Sequence, residues 1–353
     1  MGRERPGAPR WRRRAVLALG GGAAVGVPLA VALAARGGAP SRAADGAVLL
    51  AGEDGAPVAP RPAGTGPART STPTATASPT PVPTPVALAL ELAPGAEVGI
   101  GETLRVRARV PGAASATLAF RGAAYRAVVG ADGVIWAVLG VPLDEQPAEH
   151  ELVARALSAS GAVVGTGAAR VAVVTVERPV DYLQLTADQA SVLTPEAAAR
   201  ESALRAAQFS AFDGAPRWHG PFLQPTTGSF TTRFGQGRSI NGGPIGGFHT
   251  GLDIGAPEGT PVVATADGRV AWVGPMPIRG NSVLLDHGGG VKSGYHHLSA
   301  THVVEGEFVA LGTPIGLVGA TGLVTGPHLH WEVTLWGVNV EPLTWTREEF
   351  GPA

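Results

Sequence analysis

The sequence predicts a mainly β protein with two folded parts and a short helical connector between them. Three observations predict it. From Val86 to Arg178, short apolar runs alternate with turn signals. Helix signals are nearly absent after residue 213. Between these parts, one stretch, 195–212, combines a helix start with an Ala-rich body.

Length and composition set the outer bounds. A chain of 353 residues is long enough for about two domains, each with its own core. A formal net charge of −1 excludes a polycation built for nucleic acid. Lys292 is the single lysine, so nearly all basic residues are arginine. The absence of cysteine excludes disulfides, Cys-ligated metal and a lipid-anchored lipoprotein.

Residues 1–36 read as a signal anchor or an export signal. Arg3, Arg5, Arg10, Arg12, Arg13 and Arg14 precede an uncharged apolar run of 21 residues, Ala15–Ala35. About 20 residues span a bilayer as a helix, and the positive flank predicts a cytoplasmic start. Ala32-Leu33-Ala34 offers a small-residue cleavage site, and Arg12–Leu17 weakly resembles a twin-arginine signal. Either reading sends the rest outside the cytoplasm, anchored to the membrane through the N-terminal helix or secreted to the cell wall. Residues 37–85 are a Pro/Thr-rich linker, densest at Pro79–Pro85, with too little apolar surface to fold.

Residues 86–178 hold candidate strands at 86–93, 103–110, 115–121, 124–130, 133–140, 150–158 and 162–176. Seven or so strands over this length suggest an immunoglobulin-like β-sandwich without the antibody disulfide. Its lone histidine, His150, reads as a surface residue. Residues 179–228 are a connector with one helix at about 195–212. There Thr194-Pro195-Glu196 supplies an N-cap, a first-turn proline and a first-turn acid.

The C-terminal domain, 229–345, returns to β patterning. Thr260–Thr265 and Gly268–Val273 read as paired strands, with Phe308–Val309 and Pro314–Val318 adding more. Eight of the nine histidines fall between His219 and His330. Three stretches matter most: His249–Asp253, Tyr295–Leu298 and Gly326–Glu332. Imidazole and carboxylate together are the usual ligands for zinc. Leu329 and Trp331 alternate with His328 and His330, so a strand would carry both histidines into one groove. His249 and Asp253 share a Gly-containing turn that leads into an apolar segment.

These stretches resemble the LytM/lysostaphin-type zinc peptidases of bacterial cell walls, with their duplicated hybrid motif fold. That family carries H-x-x-x-D, Y-x-H-L and H-x-H, and all three occur here in that order within Ser229–Leu343. The resemblance implies an antiparallel sheet crossed by a groove. It implies zinc held by His249, Asp253 and His330, with a fourth position left for water. His297 and His328 match the two histidines that are not ligands and act beside that water as catalytic groups. Which of them is the base is open. Arg238 and Asn241 lie in a Gly-rich loop that lines the family's substrate groove. Tyr295 is expected on the strand face of His297, as a wall of that groove. His296 should face away, His287 and His302 read as structural, and Glu332 as neither ligand nor base.

The implied function is an extracytoplasmic zinc metalloendopeptidase that hydrolyses peptide cross-links of peptidoglycan. The alternative is a catalytically silent wall-binding regulator of other cell-wall hydrolases. No nucleic acid partner is expected.

Overall fold

The computed structural model describes residues 85–209, 214 and 216–352. The expected signal anchor or export signal and nearly all of the expected Pro/Thr-rich linker lie outside these residues. Among the described residues, no helix is long and apolar enough to cross a membrane.

The N-terminal strands alternate apolar and polar residues, so each buries one face. In Ser115–Phe120 the buried residues are Ala116, Leu118 and Phe120; in Ala148–Leu157 they are Leu152, Ala154 and Ala156. The strand order is 86–87, 163–174, 148–157, 115–120, 123–129, 134–140, 103–109, 91–93, with 97–99 also on 163–174. The strand Ala123–Val129 pairs first with Ser115–Phe120 and then, through Val128 and Val129, with Val134–Gly140. The sheet therefore folds over along this strand, and its two faces meet on Leu104, Val106, Leu118, Phe120, Ile135, Leu139, Leu152 and Val171. His150 is half-buried rather than a free surface residue, with its ring edge-on to Phe120 at 5.8 Å.

The strand Val134–Gly140 is apolar on both faces because it serves two cores. Ile135, Ala137 and Leu139 face the N-terminal core; Trp136 and Val138 face the C-terminal one. Trp136 packs against Trp218 at 5.8 Å, and its Nε1 donates to the Phe350 carbonyl at 2.8 Å. Trp218, Phe222, Trp345 and Phe350 continue the aromatic cluster.

The connector begins with Val180–Leu183, which pairs in parallel with Gly237–Ile240. Helix α1 spans Ala187–Ser191 and opens with a capping box between Thr186 and Gln189. Helix α2 spans Pro195–Phe209, and the Thr194 hydroxyl accepts from the Ala197 N–H at 3.0 Å. The strand Val180–Leu183 and helix α1 went unread in the sequence.

The C-terminal domain is an eight-stranded antiparallel sheet. Its main path runs 229–232, 252–255, 328–335, 291–296, 280–288, 268–276 and 308–309. Leu252, Ile254, Leu329, Trp331, Val333 and Leu335 bury one face in the core. The opposite face of the same strands carries Asp253, His328, His330 and Glu332, because side chains alternate along a strand. Helix α2 lies over part of this polar face. One expected pairing fails. Pro261–Val263 pairs with Pro314–Leu317, while Gly268–Met276 pairs with Gly280–Gly288. Between them Ala264 and Ala266 are buried and the Thr265 N–H donates to the Tyr295 hydroxyl, so the chain enters the core instead of reversing.

Candidate metal centre

Asp253 and His330 are directly opposed partners on the adjacent antiparallel strands Leu252–Gly255 and His328–Leu335. Their side chains therefore rise from the sheet side by side. His249 enters just after the strand Ile245–Phe248, where its N–H donates to the Gln236 carbonyl at 2.9 Å. Gly251 makes room: a Cβ there would lie 2.8 Å from the His330 ring and 2.5 Å from the Trp331 carbonyl oxygen.

Three donor atoms converge. His249 Nε2 lies 2.9 Å from Asp253 Oδ1 and 2.9 Å from His330 Nδ1; His330 Nδ1 lies 2.7 Å from Asp253 Oδ1. All three residues are buried. The other nitrogen of each ring fixes its tautomer. His249 Nδ1 meets the Arg233 carbonyl at 2.9 Å and must donate to it. His330 Nε2 meets the Glu332 carboxylate at 3.0 Å and must donate too. In the neutral rings, the converging nitrogens are then both lone pairs, facing each other and a carboxylate oxygen. Three such donors at this separation repel unless a cation or a proton lies between them. The residues fit a divalent metal with two imidazoles and one carboxylate.

The charges agree with this. Burial lowers the His249 pKa to about 4, against the pull of Asp253, so this ring is neutral at pH 7. Burial also opposes a charged His330, but hydrogen bonds to Asp253 and Glu332 outweigh it and raise its pKa. A proton on His330 Nδ1 and a metal ion thus compete for one position. Burial would raise the Asp253 carboxyl, yet the His249 and His330 imidazoles against it hold it well below its ordinary range.

Two more imidazoles stand at the rim. His328 Nδ1 donates to the Gly326 carbonyl at 2.8 Å, and its Nε2 lies 3.7 Å from Asp253 Oδ1. His297 Nδ1 donates to the Thr321 carbonyl at 2.8 Å. The two ring centroids are 4.9 Å apart, and His297 lies 5.9 Å from His330. Burial, then the neighbouring His330 and His328, hold the His297 pKa well below its ordinary value. Each rim ring thus has Nδ1 anchored to backbone and Nε2 left as an acceptor.

Two expected groove residues are elsewhere. Tyr295 is opposite Trp331 on the core face and fully buried, with its hydroxyl bonded to the Thr265 N–H and Ser293 Oγ, both at 2.9 Å. It does not share a face with His297. The strand ends at His296, and His297 takes a left-handed φ of +63°, which swings its ring onto the polar face. Asn241 is exposed at a hairpin tip. Its Oδ1 accepts from the Leu185 N–H at 2.8 Å and its Nδ2 donates to the Leu185 carbonyl at 3.3 Å, so it latches the connector. His296, expected to face away, is opposite His330 and shares its sheet face. It is fully buried behind the donors, with Nδ1 on Ser282 Oγ at 2.8 Å and Nε2 3.4 Å from Glu332 Oε2.

A second layer escaped sequence reasoning. Glu332 accepts from His330, from Thr250 Oγ1 at 2.8 Å, from Arg279 Nη2 at 2.6 Å and from Arg205 Nη1 at 2.7 Å. Arg279 also pairs with Glu201 of helix α2, which is 2% exposed and accepts the Ile278 N–H at 2.7 Å. The connector helix is thereby linked to the donor His330 through Arg279 and Glu332.

Residues 247–342 match the sequence model of Peptidase family M23. Over 97 residues the chain is 48% identical to the DD-carboxypeptidase/endopeptidase Mpg of Neisseria meningitidis, covering 28% of this chain and 22% of that protein. Over 85 residues it is 45% identical to the peptidoglycan DD-endopeptidase ShyB of Vibrio cholerae, covering 24% and 20%. The chain thus spans about a fifth of the length of these curated relatives. A solved structure from Pseudomonas aeruginosa, described as a peptidase M23, aligns at 27% identity with a TM-score of 0.51. That alignment covers 70% of this chain and 94% of that one, so it reaches well beyond residues 247–342. Residues 247–342 are thus similar in sequence to the M23 peptidases.

Proposed function

We propose that the protein is a zinc metalloendopeptidase that works outside the cytoplasm and hydrolyses peptide cross-links of peptidoglycan. The observation that carries this is the convergence of three buried lone-pair donors beside two anchored imidazoles. A silent regulator has no need of that set. The names of the relatives Mpg and ShyB support the substrate class.

His249 Nε2, His330 Nδ1 and Asp253 Oδ1 would hold the zinc ion. When bound, zinc polarises a carbonyl and brings the pKa of a water to about 7. His297 and His328 move the protons. One Nε2 accepts a proton from the attacking water; the other, once protonated, donates to the developing oxyanion or to the departing amine. One water is consumed, the amide C–N bond breaks, and a carboxylate and an amine leave. Their backbone-anchored Nδ1 atoms keep both rings aimed without a further side chain. The N-terminal apolar run would tether the enzyme to the membrane. Residues 86–178 form the immunoglobulin-like part; the set 91–93, 103–109, 134–140, 123–129 facing 115–120, 148–157, 163–174 supports that reading.

The test uses the full-length chain, purified in mild detergent and zinc-loaded, on isolated peptidoglycan. Mass spectrometry should find new peptide-bond termini that Asp253→Ala does not produce. A folded, zinc-loaded protein that releases no fragments would defeat the reading.

A further inference from the structure

We propose that Arg238 is a substrate-binding residue that takes a free carboxylate carried next to the scissile amide. This rests on the peptidase reading above and narrows its substrate class.

Arg238 belongs to the strand Gly237–Ile240, two residues beyond Gln236, whose carbonyl holds the His249 N–H. Its Nη2 lies 3.9 Å from Asp253 Oδ2. That oxygen is not the one facing the two histidines, since Oδ1 meets both rings. A separation of 3.9 Å is too long for a hydrogen bond. The guanidinium makes no hydrogen bond to any described residue, and its Nε is enclosed without a partner. The side chain is still 32% exposed, so the fork opens toward solvent beside the donors.

The other two guanidinium groups near the site differ. Arg205 and Arg279 are matched by Glu332 and Glu201. Arg238 has no such match. Its nearest carboxylate, Asp253, already serves His249 and His330. Burial lowers its pKa from the ordinary value, and Asp253 and Asp181 only partly oppose this. The enclosed, unpaired Nε–H costs free energy until something accepts from it. A planar fork of five donors fits a carboxylate in two parallel bonds.

Arg238 and His328 both stand beside Asp253, at 3.9 Å from its Oδ2 and 3.7 Å from its Oδ1. A peptide whose amide reaches the donors would place its neighbouring atoms at this fork. A free carboxylate occurs there when the carbon bonded to the scissile nitrogen carries one. A C-terminal residue has that arrangement, and so does a diamino acid cross-linked through one amine while keeping its acid. An internal run of glycines does not.

Two synthetic peptides test this, identical except for a carboxylate or a carboxamide on the residue supplying the scissile nitrogen. The full-length, zinc-loaded chain should prefer the carboxylate by roughly 10- to 100-fold in kcat/KM, the range of a charge-assisted bonded pair. In Arg238→Ala that ratio should fall toward one, mainly through KM, with zinc affinity by chelator competition retained. Arg238→Lys should restore part of the preference. Three results overturn the proposal: no preference in the wild type, an equal fall on both peptides in Arg238→Ala, or a loss of zinc affinity in that variant. The last two would make Arg238 a support for Asp253. Cleavage of neither peptide by the wild type would instead defeat the peptidase reading itself.

Discussion

Glu332→Gln tests whether the second layer holds the metal donors. Glu332 is 1% exposed and accepts from two guanidinium groups, a hydroxyl and His330. Burial would raise its carboxyl, but Arg205 and Arg279 hold it well below the ordinary range. Glutamine keeps the shape and turns one acceptor into an N–H₂ group among donors. Removing one partner of a buried ion pair costs about 3–5 kcal/mol, because the other charge stays buried. Arg279 keeps Glu201 while Arg205 keeps only Asn339, so the low end, about 3 kcal/mol, is expected. Against a total of about 5–15 kcal/mol, the protein should stay folded but weaker. Zinc affinity should also fall. A neutral amide oxygen at Nε2 holds the His330 tautomer, and so its Nδ1 lone pair toward the metal, less firmly than a carboxylate, and altering such a partner typically costs about 10- to 100-fold. Urea unfolding with excess chelator, followed by tryptophan fluorescence, gives the first quantity; zinc competition against a chelating dye gives the second. Wild-type zinc affinity in a destabilised Glu332→Gln would refute the coupling. Wild-type stability would refute the ion-pair estimate.

Three further outcomes are expected. His297→Ala and His328→Ala should each lower kcat by about 10²- to 10⁴-fold while zinc stoichiometry is retained, since neither ring is among the converging donors; loss of zinc in either would contradict the assignment. Trp136→Ala should cost about 3–5 kcal/mol in urea unfolding, because the indole fills the C-terminal core from an N-terminal strand; a change under about 1 kcal/mol would mean the two cores are independent. His287 is fully buried, and burial lowers its pKa from 6.5 to about 4. The folded value lies below the unfolded one, so its stabilising share is complete above about pH 6.5 and is lost as pH falls toward 4. The slope is about 1.4 kcal/mol per pH unit, and the total about 3 kcal/mol. A wild-type minus His287→Gln difference in unfolding free energy that stays flat from pH 7 to pH 5 would contradict this.

What the sequence disclosed about this site follows the range of the interactions. His328 and His330 were legible as a pair because strand periodicity acts over two residues. The Thr194 cap and the apolar strands of the N-terminal part were legible for the same reason. The capping box of helix α1, Thr186 with Gln189, was equally local and was passed over. Periodicity failed where a strand stopped. Alternation carried past His296 puts His297 with Tyr295, and only the left-handed turn at His297, a residue with a side chain, reverses this. The rest depends on distant partners. Asp253 meets His330 across a strand pair, and their meeting was inferred from a family resemblance, not from spacing. Asn241 was expected to line the groove, and its partner Leu185 lies 56 residues away in the chain. Glu201, in an Ala-rich helix, reads as a solvated charge; Arg279 is what makes it a buried one. The donors thus stand in local motifs, while Arg233, which fixes the His249 tautomer, and Arg279 and Arg205, which balance the Glu332 charge, come from elsewhere in the chain. A motif match alone therefore identifies which atoms can hold a metal. Whether they point their lone pairs at one spot depends on Arg233, Glu332 and Arg279, none of which lies in the three motifs' ligand positions.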